Sequence, residues 1–275
     1  LLLRVLAEAG PALERDDYTE AAARGASFIL DEMRKDDRLL HSWKDGRARI
    51  PGFLEDYAAL GNALLTLHEA TLEPRWRSEA VWCSRKIVEL FWDDESKLFF
   101  DTPFDGEELV VRPRDAMDNP SPSGTSLAVE LLLRVAIVLD DTDLRSVAEQ
   151  ALTRDLETVR RHPTAFGALL SALDFHLSQP VEVAVVGPRS AEETDEILRV
   201  IHGRYLPRKV VVGAESEVEK NEEDIPLLRE RGMRDGRTTV YVCRNYACRE
   251  PVTEAKEVAR LLTDRWRLST EWRGP

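Results

Sequence analysis

The stretch DYTEAAARGASFILDEMRKDDRLL (residues 17–40) returns 58 residues later as RWRSEAVWCSRKIVELFWDDESKL (residues 75–98). Tyr18, Ala22, Ile29, Met33, Asp36 and Leu40 correspond to Trp76, Ala80, Ile87, Phe91, Asp94 and Leu98. The first four are apolar positions at helical spacing, and the last two fall in the turn that follows. A third, weaker copy begins at Leu144 and Ala148. Recurrence at a fixed period marks one supersecondary unit used several times. Such a unit cannot bury its apolar face alone, so its copies must pack on one another.

Working outward from the repeat, the apolar rhythm predicts helices over 1–9, 17–35, 54–71, 74–92, 124–140, 142–160 and 163–177. Tyr57, Leu60, Leu64 and Leu67 keep the spacing of one buried face, as do Leu127, Leu131, Val135 and Val138. Pro51-Gly52 and Pro120 to Gly124 punctuate the starts of those two helices. The short link Leu72-Glu73-Pro74 implies antiparallel neighbours. Strand-like pieces, Leu39–Trp43 and Leu98–Asp101, precede the next helix. Hairpins repeated in this order close naturally into a ring with one helix of each pair inside. A full ring has six pairs, and this chain supplies about three and a half.

The pattern changes near residue 180. Val181–Val186 reads as a buried strand, Ser190 and Glu193 as the capping box of a helix reaching His202, and Lys209–Val212 as a second strand. A unit of this length implies a parallel pair with a right-handed crossover. Residues 214–225 are acidic and read as an exposed, mobile loop. Thr238–Cys243 is a third strand and Thr253–Thr263 a last helix. The expected fold is therefore mainly α: a partial ring of helical hairpins over 1–178 and a small C-terminal α/β (βαβ) subdomain over 179–275.

The chain has 275 residues, is 43% apolar and 32% charged, and carries a net charge of −13. That charge argues against nucleic acid and against anionic membrane surfaces. No apolar run approaches the ~20 residues of a membrane span, and the opening Leu1-Leu2-Leu3-Arg4 belongs to an amphipathic stretch rather than a leader. A start other than Met suggests a piece of a longer protein. Three cysteines do not make a disulfide scaffold, so a reducing cytoplasm is expected.

The densest polar constellation is Arg112-Pro-Arg-Asp115-Ala-Met-Asp118-Asn119-Pro-Ser121-Pro-Ser123-Gly124-Thr125-Ser126, which leads into a helix N-terminus. Free N–H groups at such ends suit oxygen-rich ligands. The plain alternative makes Ser123 an N-cap and pairs Arg112 with Asp115 or Asp118. A second set, His41, Trp43, Lys44, Asp45, Arg47 and Glu55-Asp56-Tyr57, precedes the other inner helix. By the repeat logic both loops sit at one mouth of the ring. Aromatic faces there would stack on a sugar, with charged groups bonding its hydroxyls. Asp56 beside Asp115 or Asp118 would serve as a glycosidase acid/base pair. His41 would instead exchange a proton at a sugar carbon, as epimerisation requires. Against this, Asp56 in a first helical turn is favourable through the dipole alone. Trp43, Arg47, Tyr57, Arg112 and Ser123 complete the candidate binding set.

Cys243 and Cys248 form a C-x4-C pair after the third strand. A reversible disulfide and two buried thiols both fit, so the pair is a redox candidate. No His cluster completes a zinc site, and no glycine-rich phosphate loop is present, so neither metal nor cofactor is expected. Cys83 reads as a small buried residue.

Four segments together resemble a known family: Pro51-Gly-Phe-Leu-Glu-Asp-Tyr57; Phe91-Trp-Asp-Asp94 with Phe99-Phe100; Arg112-Pro-Arg-Asp115 with Asp118 and Pro122-Ser-Gly124; and Val242-Cys-Arg-Asn-Tyr-Ala-Cys248. They are similar to the YyaL-type thioredoxin-domain-containing proteins, related to spermatogenesis-associated protein 20. The resemblance implies an N-terminal thioredoxin-like domain, missing from this chain. It also implies an (α/α)6 toroid like that of N-acylglucosamine 2-epimerases and six-hairpin glycosidases, here without its first hairpins. Sugar epimerisation or hydrolysis follows as the implied chemistry, with a carbohydrate as ligand. The epimerase relatives use histidines on inner helices, whereas here those helices carry only His68. The alternative is a non-catalytic scaffold that presents clients to the thioredoxin-like domain, with Cys243 and Cys248 as an auxiliary thiol pair.

Overall fold

Two kinds of helix build most of the molecule. The computed structural model describes residues 1–107, 109–215, 225–245 and 247–263. The first kind is α1 (Leu2–Ala12), α3 (Leu54–Thr71), α5 (Gly124–Leu139) and α7 (Gly167–Leu177). These pack side by side as one row. Within it, α3 and α5 are apolar around most of their circumference and are buried accordingly. The second kind is α2 (Asp16–Glu32), α4 (Pro74–Phe91) and α6 (Thr142–Arg161), each packed behind its predecessor in the row. These carry charged outer faces. The buried stripe of each includes a fully buried alanine (Ala22, Ala80 and Ala148), which lets the backbones come close.

The repeat read from the sequence is present in the structure. After α2 the chain forms β1 (Arg34–Lys35) and β2 (Arg38–Lys44); after α4 it forms β4 (Trp92–Asp93) and β5 (Leu98–Phe99). The two turns use left-handed backbone, at Asp36 and Asp37 in one and at Lys97 in the other. The strand β3 (Arg47–Pro51) extends the first hairpin by pairing with β2. The third copy diverges: α6 runs into a single 3-10 turn at Pro163–Ala165 and then α7.

The remaining segment is a four-stranded sheet of β6 (Val181–Val186), β7 (Lys209–Ala214), β8 (Thr239–Arg244) and β9 (Ala247–Cys248), in the order β7-β6-β8-β9. As the pattern predicts, β6 and β7 are parallel and joined through α8 (Glu192–His202); β8 runs antiparallel to β6. The last helix, α9, spans Ala255–Thr263. The expected capping box of α8 does not form. Ala191 is the N-cap residue, and Glu193 instead holds Arg237 at 2.7 Å and accepts from Thr238 N at 3.3 Å. Most of the acidic stretch after β7 (216–224) lies outside the described residues.

Strand alternation decides what each sheet face meets. Ala184, Val186, Val210, Val212 and Ala214 join the hydrophobic core of the helical rows. Val183, Val185, Val211, Val240 and Val242 face the other way, with Ile197, Ile201, Val258 and Leu261 of α8 and α9. Polar ties cross the same interface. Glu69 pairs with Arg134 at 2.9 Å and accepts from Val211 N at 3.1 Å. Arg77 donates to the Gly213 carbonyl at 3.2 Å, and His202 donates to the Glu69 carbonyl at 2.9 Å. No helix among the described residues is long and apolar enough to cross a membrane.

Candidate active site at two helix N-termini

The two polar loops meet where α3 and α5 begin. Leu54 N donates to the Asp101 carbonyl at 3.0 Å, and Asp101 N donates to Pro113 O at 2.9 Å, so Asp101 bridges the start of α3 and the 112–115 segment. Gly124 opens α5 so close to α3 that an added Cβ would stand 3.2 Å from Glu55 N. The two polar loops therefore converge. They enclose two adjoining clefts of about 380 and 280 Å3, which share Glu55, Ser121 and Pro122 as a common wall.

His41 and Asp56 line the larger cleft. His41 Nδ1 lies 2.9 Å from Asp56 Oδ2, so the carboxylate fixes a hydrogen on Nδ1 and leaves Nε2 as the basic nitrogen. The same oxygen accepts from Phe53 N at 2.8 Å, so Asp56 also caps α3. His41 is further held edge-on against Phe53, with ring centroids 4.9 Å apart.

Asp101 and Asp115 line the smaller cleft with Glu55. Asp115 N donates to Asp101 Oδ2 at 2.8 Å, while the Asp115 carboxylate accepts from Met117 N at 3.2 Å and Asn119 Nδ2 at 3.0 Å. Burial raises the Asp101 carboxyl above its ordinary value. The charges of Asp115 and Glu55 add to the rise, against the lowering effect of the Asp115 amide. A partly buried acid facing two other carboxylates is the arrangement that separates proton donor from proton acceptor.

Several expected residues are placed elsewhere. Asp118 Oδ1 accepts from Ser123 N at 2.9 Å and Oδ2 from Ala168 N at 2.7 Å, which makes it a clasp between this loop and α7. Ser123, by contrast, stays on the wall of the smaller cleft while its hydroxyl caps α5, accepting from Ser126 N at 3.1 Å. Arg112 pairs with neither Asp115 nor Asp118: it donates to the Thr102 carbonyl at 2.6 Å and stacks over Phe100, because the loop turns it toward β5. Tyr57 is 1% exposed, packed against Trp82 and Phe91 with its hydroxyl accepting from Leu39 N, so it offers no stacking face. Trp43 packs on Phe28 of α2, and it and Arg47 stand on the β2–β3 hairpin away from both cleft walls. His68 is buried between the Glu73 carbonyl and Arg77, and burial pushes its pKa down to about 3.

Glu55 and Asp101 are the cleft residues that the sequence reading left without a role. Glu55 precedes Asp56 in a helical first turn, a position that helix electrostatics already explains. Asp101 stands outside the polar run and reaches the site only through its backbone bonds. A larger cavity of about 950 Å3 lies between the helical row and residues 202–209. Much of its charge is internally paired, Arg4 with Glu130, Arg134 with Glu69 and Arg208 with Asp174.

The likeness to known proteins runs over nearly the whole chain. The chain is similar to spermatogenesis-associated protein 20. It is 29% identical to the Homo sapiens protein over 274 residues, covering 95% of this chain and 35% of the relative. The Rattus norvegicus and Mus musculus proteins match over the same length at 29% and 28% identity. The chain thus spans about a third of the length of the curated relatives it matches. No family model matches it.

Proposed function

We propose that the paired clefts bind a carbohydrate-like, polyhydroxylated small molecule and carry out proton transfer on it. The observation that carries this reading is the His41–Asp56 dyad, at 2.9 Å, on one cleft wall, with the Asp101–Asp115–Glu55 group across the shared wall. A carboxylate-oriented imidazole is equipped to remove or return a proton at a sugar carbon. For hydrolysis, Asp101 would donate to the leaving oxygen, because its proton is held to higher pH, while Asp115 or Glu55 would accept. In this reading the row of odd-numbered helices is the inner wall of an (α/α)6 toroid, completed by parts of a longer protein that also carries a thioredoxin-like domain. Fold likeness does not by itself assign chemistry, so the residues carry the argument.

A thermal-shift screen of mono- and disaccharides tests it. We expect at least one sugar to raise the melting temperature, and His41→Gln to abolish that shift while leaving the ligand-free melting point nearly unchanged. His41 is exposed, and its removal leaves the Asp56 cap in place. No stabilisation by any sugar would overturn the reading.

A further inference from the structure

The C-x4-C pair is placed on the sheet edge, well outside the clefts. Cys243 and Cys248 face each other across the β8–β9 hairpin and are joined by a disulfide. Their surroundings are unequal. Cys243 is fully buried on β8, and Cys248 is exposed on the edge strand. The guanidinium of Arg231 reaches both: Nη2 stands 3.3 Å from Cys243 Sγ and 3.1 Å from Cys248 Sγ.

Arg231 is held there by more than the sulfurs. Its Nη1 donates to the Leu227 carbonyl, and its guanidinium lies over the Tyr241 ring, 5.5 Å from the centroid. The Tyr241 hydroxyl donates to Gly232 O at 2.9 Å and accepts from Gly232 N at 3.1 Å, which fixes the backbone beside Arg231. A neutral disulfide gains little from a fixed cation. A thiolate gains a great deal, because a neighbouring arginine lowers a thiol's pKa. The cation is therefore matched to the reduced form of this pair.

We propose that Cys243–Cys248 is a reversible disulfide that exchanges with an external dithiol, and that Arg231 is its positioning residue. The donor's thiolate attacks the exposed Cys248 Sγ. A donor–Cys248 bond forms, the Cys243–Cys248 bond breaks, and Cys243 leaves as a thiolate beside Arg231 Nη2. The donor's second thiolate then attacks its own sulfur in the mixed disulfide and releases Cys248. Two electrons pass from donor to protein, the donor ends as a disulfide, and its two protons are matched by those of the two new thiols. Exchange of this kind depends on leaving-group pKa and on access, which are the two properties divided between Cys243 and Cys248. The proposal stands independently of the sugar reading.

Cys83 leaves the assay clean, since it is buried and burial pushes its thiol up. The intact chain is equilibrated in glutathione and then in dithiothreitol, with thiols counted by alkylation and mass. We expect two thiols to appear with dithiothreitol while the melting transition persists, and to disappear in oxidised glutathione. We also expect the pH midpoint of Cys248 alkylation in the reduced protein to lie below the ordinary thiol range. Arg231→Gln should move that midpoint up and slow dithiothreitol reduction by about tenfold at pH 7. Arg231→Lys should restore part of both, which separates charge from packing. A pair that stays as free thiols in oxidised glutathione overturns the proposal. So does reduction only on unfolding, or an alkylation midpoint that Arg231→Gln leaves unmoved.

Discussion

At the residue scale, the site loops are held by carboxylates that serve backbone N–H groups. Asp118 accepts from Ser123 N and Ala168 N, bringing two helix starts together. Asp118→Ala removes both charge-assisted bonds and should cost about 2–3 kcal/mol in urea unfolding. Asp101 behaves in the opposite sense. Its proton is held more tightly folded than unfolded, so the carboxylate opposes folding at neutral pH, and that penalty vanishes once pH falls below the carboxylate range. Asp101→Asn keeps an oxygen for Asp115 N. It should therefore raise the melting temperature at pH 7 and leave it unchanged near pH 3. A fall at pH 7 would contradict the placement of Asp101 beside Asp115 and Glu55.

At the element scale, close helix contacts depend on small side chains. A Cβ on Gly61 of α3 would stand 2.3 Å from a Leu131 methyl of α5 and 2.9 Å from Cys83 Cβ of α4. Gly61→Ala should lower stability by about 1–3 kcal/mol despite its better helix propensity, because overpacking outweighs propensity in a filled core. The helical elements, the two-strand pieces and the parallel pair were legible, since their apolar residues recur at the period of the element. The α8 start was not. Ser190 and Glu193 have capping-box spacing, yet Glu193 is drawn to Arg237 from a distant segment. Local rules lose where a long-range charge offers more.

At the scale of the whole molecule, the sheet and the helical rows share one core, and buried polar groups cross it. Glu69 faces Arg134 and Val211 N in a nearly dry environment. Glu69→Ala leaves Arg134 buried without its partner and should cost about 3–5 kcal/mol in a single denaturation transition. His68 and His202 add a pH dependence. Burial pushes them down to about 3 and about 4, so unfolding takes up protons once pH falls below their ordinary 6.5. Stability should fall as pH drops from 6.5 toward 4, and His202→Gln, which retains a donor for the Glu69 carbonyl, should flatten that slope.

The sequence by itself determined the helical repeat, the turn after its first two copies, the βαβ crossover and the N-cap at Ser123. Each is set by residues within a few positions of one another, through periodicity, steric limits on the backbone or a local hydrogen bond. Tertiary structure alone decided which polar side chains meet. It brought His41 to Asp56 and Asp101 to Asp115 and Glu55, turned Arg112 away to Phe100, and set Arg231 against the sulfurs of Cys243 and Cys248. Contacts between segments depend on how helices and strands pack in three dimensions, and no spacing along one chain encodes that distance.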